Sequence, residues 1–369
     1  MGKFSPMPAH LRPRAALTAI GLAAATFLAS CSTPPPPPPP PVVLAPPAPP
    51  PITLSESIVI KASAFRGYMQ RAGAITPDFT DGQQIADSLK VGVAYEPKQF
   101  LSGAMAYAAV LALQDPTFVA SARAFAADPD QRRQVIAQIY ADPAYVVAFK
   151  GSDSAAGLII DTLGSDGLKV YQAGKRVKQA AYDVQRANWS KASVPDRDVR
   201  LAYAKTMSAT PLLAESADVA LLQQASMGGA PLALAPRAAE APYKPLVIRG
   251  MAVAALAALG AAGDDNLANV EAIMAEPASA SCVNMGKLNL YQCLAVAKPH
   301  YEDVFCLGQH ILIDTGQCVI KASGAPMPAE PPPPPPRVLP VKTSIIDGGA
   351  GSNSRAAKLA AAKKAAKRN

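Results

Sequence analysis

From Ser55 onward the apolar positions recur with a helical period. Ile58, Ala62, Phe65 and Met69 stand at i, i+4, i+7 and i+11, and the run closes near Gly73 with Thr76-Pro77 behind it. A second helix is expected from about Gln83 to Tyr95. A third, from Pro97 to Gln114, would bury Phe100, Met105, Tyr107, Val110 and Leu111. Three Asp-Pro pairs follow, Asp115-Pro116, Asp128-Pro129 and Asp142-Pro143, spaced 13 and 14 residues apart. Aspartate caps a helix by accepting orphan N–H groups, and proline suits the first helical position because its missing donor is not needed there. Each pair therefore predicts a helix of about three turns, with stripes Phe118-Val119-Ala122-Phe125, Val135-Ile136-Ile139-Tyr140 and Tyr145-Val146-Phe149. Helices this short must bury their stripes against one another, which predicts an all-α fold, a multi-helix antiparallel stack.

Further along, Gly151 to Ser154 reads as a loop and cap before a helix ending near Leu163. Gly167 separates it from a longer helix, Leu168 to about Asn188. That helix carries Lys169, Lys175, Arg176, Lys178 and Arg186, either a face for an anionic ligand or a solvated surface. Trp189 is expected to pack on the core. Helices at Asp196 to Ser208 and Pro211 to Ser226, the latter capped by Thr210, precede a Gly/Pro/Ala-rich stretch that reads as a linker or surface strap. The apolar run Met251 to Gly263 is a core helix, too short to span a bilayer, and another helix covers Asn266 to Ala275.

The chain has five cysteines, and four of them (Cys282, Cys293, Cys306 and Cys318) fall close together. Ser281 would cap a helix from Cys282 to Ala297, Pro299 would break it, and a second would run from about Tyr301 to Ile313. On one rod Cys282 and Cys293 would stand about 16 Å apart, beyond disulfide reach. A hairpin turning near Pro299 instead pairs Cys293 with Cys306 and Cys282 with Cys318, each bond contributing about 3 to 4 kcal/mol. Zinc is the alternative, but the spacings lack the short C-x2-4-C hook. His300 and His310 lie in this hairpin beside Glu302 and Asp303. They are the candidate site for a periplasmic enzyme or small-ligand protein, the rival to a non-enzymatic module. The chain contains no G-x-S-x-G, S-x-x-K, H-E-x-x-H or P-loop pattern, which lowers the enzyme reading. No cofactor and no metal site is expected.

Ahead of these helices, Lys3, Arg12 and Arg14 precede an apolar run from Ala15 to Ala29, about 15 residues long and short of a membrane span. The run ends Leu28-Ala29-Ser30-Cys31. This motif resembles the lipobox of bacterial lipoproteins. The resemblance covers residues 1 to about 32 and implies cleavage before Cys31, whose thiol and amine would then carry fatty acyl chains such as palmitate. Several chains on one residue make a stable anchor, since each buried methylene contributes about 0.8 kcal/mol. Ser32 stands where an inner-membrane retention signal would place Asp, so the resemblance implies the outer membrane, facing the periplasm. Pro34 to Pro41 and the prolines up to Pro51 would form a polyproline II spacer about 55 Å long.

Charge changes the picture at the other end. The chain has 35 basic and 27 acidic residues. Three basics lie in the signal segment and six in residues 355–369, which leaves the rest neutral. Those six, Arg355, Lys358, Lys363, Lys364, Lys367 and Arg368, spread around the circumference of any helix they form. They suit a diffuse anionic surface such as peptidoglycan carboxylates or lipid phosphates, and in that compartment no nucleic-acid partner is expected. The expected order is 1–30 signal peptide, 31–54 lipid-anchored Pro-rich spacer, 55–227 helical domain and 228–245 linker or strap. After these come 246–322, a helical segment with the disulfide-braced hairpin, 323–354, a Pro/Gly-rich linker, and 355–369, a basic Ala/Lys tail, with the Pro-rich and basic flanks disordered. Together they describe a lipid-anchored envelope protein, a non-enzymatic helical module that tethers or positions another envelope component.

Overall fold

A computed structural model describes residues 48–229, 231–235 and 237–329. Among them there are fourteen α-helices and no β-strand, and the described residues belong to a single packed unit. The helices α1 (Glu56–Gly73), α2 (Gly82–Val93) and α3 (Pro97–Ala112) open the fold, capped by Ser55, Asp81 and Glu96. The first two Asp-Pro pairs start α4 (Pro116–Ala124) and α5 (Pro129–Ala141), each aspartate accepting from backbone N–H groups of the first turn. The third starts a 3-10 stretch, Pro143–Ala148, instead of a three-turn helix. Asp115 is buried and accepts from Phe118 N at 2.7 Å and Ser154 Oγ at 2.6 Å. Asp115→Ala is therefore expected to cost about 2 kcal/mol in a denaturant melt, the upper range for a cap.

Next come α6 (Ser152–Asp183), α7 (Asn188–Lys191), α8 (Arg197–Ser208), α9 (Ser216–Ser226), α10 (Pro245–Ala258) and α11 (Leu267–Ile273). The hairpin is α12 (Pro277–Val296) turning at Pro299 into α13 (His300–Cys306). A π-helical segment (Leu307–Ile313) then leads into α14 (Asp314–Ser323). Two disulfides brace it, Cys293–Cys306 near the turn and Cys282–Cys318 at the open end, with Cα separations of 5.7 and 5.8 Å. The antiparallel helical stack and its nested cross-links are those the periodicity and spacing predict.

Several boundaries differ, each for a physical reason. The break expected at Gly167 is absent, and α6 is one helix of 32 residues, about 48 Å long. Gly167 and Gly174 instead let α6 lie against α13, the π segment and α14. A Cβ at Gly174 would meet Gly308 O at 2.8 Å, and one at Gly167 would meet Gly316 O at 3.0 Å. Gly308 and Gly316 are eight residues apart where their partners are seven apart. The wider π turn absorbs the extra residue and brings the two pairs into register. The helix expected from Pro211 begins only at Ser216, because Gln99 holds the backbone of Leu212 through both its amide groups. Thr210 caps nothing there; its hydroxyl donates back to Thr206 O. The core helix α10 starts six residues before Met251, at Pro245, and ends before Gly260, whose φ of 68° turns the chain away. Likewise α12 begins at Pro277, with the Glu276 carboxylate accepting from Ser279 N, and not at a Ser281 cap.

The core runs through both expected helical segments. The apolar faces of α1, α3, α6, α10 and the hairpin belong to one cluster. At its centre Phe65, Tyr68, Tyr95 and Phe100 pack ring against ring, with centroids 4.8 to 5.5 Å apart. Helix ends that face this core need donors, and arginines supply them. Arg132 reaches Leu259 O at the end of α10, and Arg197 reaches Ala295 O and Ala297 O at the end of α12. The last residues of the expected proline spacer are fixed to the body, since Arg123 holds Pro50 O and Thr53 N donates to Ala257 O. The strap is pinned too. Leu232 N donates to Gln114 and Ala239 N to Asp153 O. No helix among the described residues is long and apolar enough to cross a membrane.

Candidate functional site

Three polar groupings interrupt the apolar packing. The first lies at the hairpin turn. Asp303, 2 % exposed, pairs with Arg200 of α8, whose guanidinium also reaches Leu294 O. Burial pushes the Asp303 carboxyl up to about 6, against the attraction of Arg200. The folded value lies above the unfolded one of about 3.9, so the folded state holds the extra proton. The stability this group contributes is fully present below about pH 4 and is lost as pH rises through about 6. His300, lowered by its own burial and by Arg200, acts in the opposite sense in a neighbouring window, so a comparison with Asp303→Asn isolates the aspartate. The stability difference, wild type minus Asp303→Asn, is expected to fall by on the order of 2 to 3 kcal/mol between pH 4 and 7. A flat or rising difference contradicts this assignment.

The second grouping is Lys287 of α12, 5 % exposed. Its ammonium donates to Val93 O at 2.7 Å and Ser208 Oγ at 3.0 Å and sits 3.4 Å from the centroid of the Tyr95 ring. Burial holds its pKa well below the usual lysine range, with Glu96 opposing. Lys287 thereby ties the ends of α2 and α8 to the hairpin. The sequence carried its signal: Val283, Lys287, Leu290 and Leu294 stand at i, i+4, i+7 and i+11, a charged residue in a buried stripe.

The third is a cleft of about 610 Å³ between α1, α3, α6 and the strap at Leu232-Ala233-Leu234. Its floor holds Arg66, Tyr107 and Asp166. Asp218 of α9 fixes Arg66 by an ion pair. Burial, reinforced by Asp166 and opposed by Arg66, pushes the Tyr107 phenol up to about 12, and burial raises Asp166 too, against Lys169 and Arg66. At the mouth stand Lys169, 3.3 Å from Asp166 Oδ1, and Arg176, which makes no hydrogen bond or ion pair among the described residues.

The residues singled out in the sequence fall into separate places. Cys31 and the tail cations Arg355, Lys358, Lys363, Lys364, Lys367 and Arg368 lie outside the described residues, as does the eight-proline run. His300 packs against Gly82 of α2, and His310 Nδ1 lies 3.0 Å from Asp314 Oδ2. The two histidines thus have separate partners, and no group of three or more potential metal ligands occurs among the described residues. The basic residues of α6 divide. Lys178 donates to Gln309 and lies over Phe305, whereas Lys169 and Arg176 border the cleft. Trp189 is partly buried against the core. No protein-family model, curated protein or solved structure matches the chain. What fold and site define is a disulfide-braced all-α module with a polar cleft.

Proposed function

We propose that this chain is a lipid-anchored protein of the bacterial envelope, a non-enzymatic helical module that tethers or positions another envelope component. The observation that carries the reading is Leu28-Ala29-Ser30-Cys31 at the end of a short apolar run preceded by Lys3, Arg12 and Arg14 with no acidic residue among them. The two disulfides support an oxidising compartment. Acyl chains on Cys31 hold the chain at the outer membrane. The prolines up to Pro49 space the body from the bilayer, and the six cations of residues 355–369 engage anionic surface such as peptidoglycan. Two variants test the two halves. Cys31→Ser is expected to move the protein from the membrane pellet to the soluble fraction. Truncation after Ser354 is expected to abolish retention on isolated peptidoglycan at low salt while leaving the protein in the membrane. Sedimentation of Cys31→Ser with membranes rejects the anchor, and equal retention of the truncated chain rejects the tail.

A further inference from the structure

The cleft between α1, α3 and α6 lies on the helical body, apart from Cys31 and the basic tail. Its two ends differ chemically. The mouth is cationic: Arg176 is unpaired among the described residues, and Lys169 spends its charge on one oxygen of Asp166 at a long 3.3 Å. A guanidinium and an ammonium two turns apart on α6 and bordering one cleft match an oxyanion, carboxylate or phosphate, which can accept from long side chains reaching in from both. Deeper in, the free Asp166 oxygen accepts hydrogen bonds and cannot donate them while ionised. Gln70 and Gln172 on the walls can do either. Leu232 and Leu234 of the strap supply an apolar edge. The floor is preorganised, because Asp218 holds Arg66 and the Tyr107 ring is buried. The volume, about 610 Å³, is within the range of small-ligand pockets.

We propose that this cleft binds a molecule of monosaccharide size that carries an oxyanion at one end and hydroxyl or amide donors at the other. The oxyanion sits between Lys169 and Arg176, and the donors face Asp166. The site is distinct from the histidines of the hairpin and from the polycationic tail. It gives the module a small-molecule specificity that a diffuse polycation lacks.

Calorimetric titration of the full chain in detergent tests this with four probes: N-acetylmuramic acid, glucose 6-phosphate, N-acetylglucosamine and inorganic phosphate. At least one of the two charged sugars is expected to bind saturably, and which one does so identifies the oxyanion as carboxylate or phosphate. N-acetylglucosamine, without the oxyanion, and inorganic phosphate, without the donors, are each expected to bind at least tenfold more weakly. Lys169→Gln with Arg176→Gln changes two exposed side chains and is expected to lower the affinity at least tenfold with an unchanged circular dichroism spectrum. The control pair Arg133→Gln with Lys150→Gln makes the same change in net charge and is expected to bind like wild type. Failure of both charged sugars to bind overturns the proposal, as does equal binding of either stripped-down probe. So does a double variant that binds like wild type, or a control pair that loses as much.

Discussion

Exchange of Cys282 and Cys318 for alanine is expected to lower the free energy of unfolding by about 4 kcal/mol, and exchange of Cys293 and Cys306 by about 3. The order follows from the lengths of the loops closed in the unfolded chain. The outer bond joins residues 36 apart and the inner one residues 13 apart, so the outer removes more denatured-state freedom. The bonds are nested. With one bond intact the loop closed by the other is effectively shorter, so each single exchange costs slightly less than that bond would alone, and removing all four cysteines should cost a few tenths of a kcal/mol more than the sum of the two exchanges. Alanine is the suitable replacement because Cys306 and Cys318 are buried, where a serine hydroxyl would add an unpaired polar group. Guanidinium melts of the three variants decide the matter. An inner-bond variant that lost more than the outer would reverse the loop-closure ordering.

Gly316→Ala and Gly308→Ala are each expected to destabilise the protein by about 3 kcal/mol, although alanine is the better helix former by about 1 kcal/mol. At Gly316 the new methyl group would stand 2.6 Å from Tyr171 N and 2.7 Å from Gly167 O. At Gly308 it would stand 2.5 Å from Lys178 N. All three neighbours are backbone atoms of α6 and cannot rotate aside, so the helices must separate. Separation opens the buried layer that Val170, Val177, Leu307 and Leu312 fill. Gly286→Ala is the contrast. It is also a buried helical glycine of the hairpin, but its Cβ would meet Asp314 Cβ at 3.4 Å and His310 O at 3.7 Å, which the neighbours accommodate. Intrinsic propensity then dominates, and the variant is expected to be as stable as wild type or up to about 1 kcal/mol more so. Thermal melts in which Gly316→Ala and Gly286→Ala behaved alike would remove the seam from the account.

Much of the helical framework was legible because capping is local chemistry. Asp81, Glu96, Asp115 and Asp128 each sit within three residues of the N–H groups they satisfy, and the Asp-Pro pairs marked α4 and α5 from the sequence alone. The nested cysteine pairing was legible for a similar reason, since one proline turn fixes which positions face each other. The role of Gly167 is not legible because a glycine that breaks a helix and one that admits a second helix look the same along one chain; Gly316, which decides between them, lies 149 residues away. The arginine caps are equally non-local: Arg132 serves carbonyls at the end of α10 and Arg197 those at the end of α12. The cleft was the least legible feature. The basic run on α6 is visible in the sequence, but the partners that turn Lys169 and Arg176 into a concave site, Arg66 and Tyr107, come from two other helices. Lys287 is legible in the sequence, since a lysine at a core position of an apolar stripe signals a buried, partnered amine.

The fold supplies a cross-linked body whose two helical segments share one core, and the functional reading adds a leash at Cys31 and a cationic arm beyond residue 354. The membrane anchor depends on the chemistry of one thiol. Mass spectrometry of the N-terminal peptide, released by protease from protein purified out of the membrane fraction of the native host, measures that chemistry directly. The account predicts a chain beginning at Cys31 with its mass raised by a thioether-linked diacylglycerol, with or without a further amide-linked acyl chain. A peptide that begins at any other residue, or at Cys31 with an unmodified thiol, contradicts it.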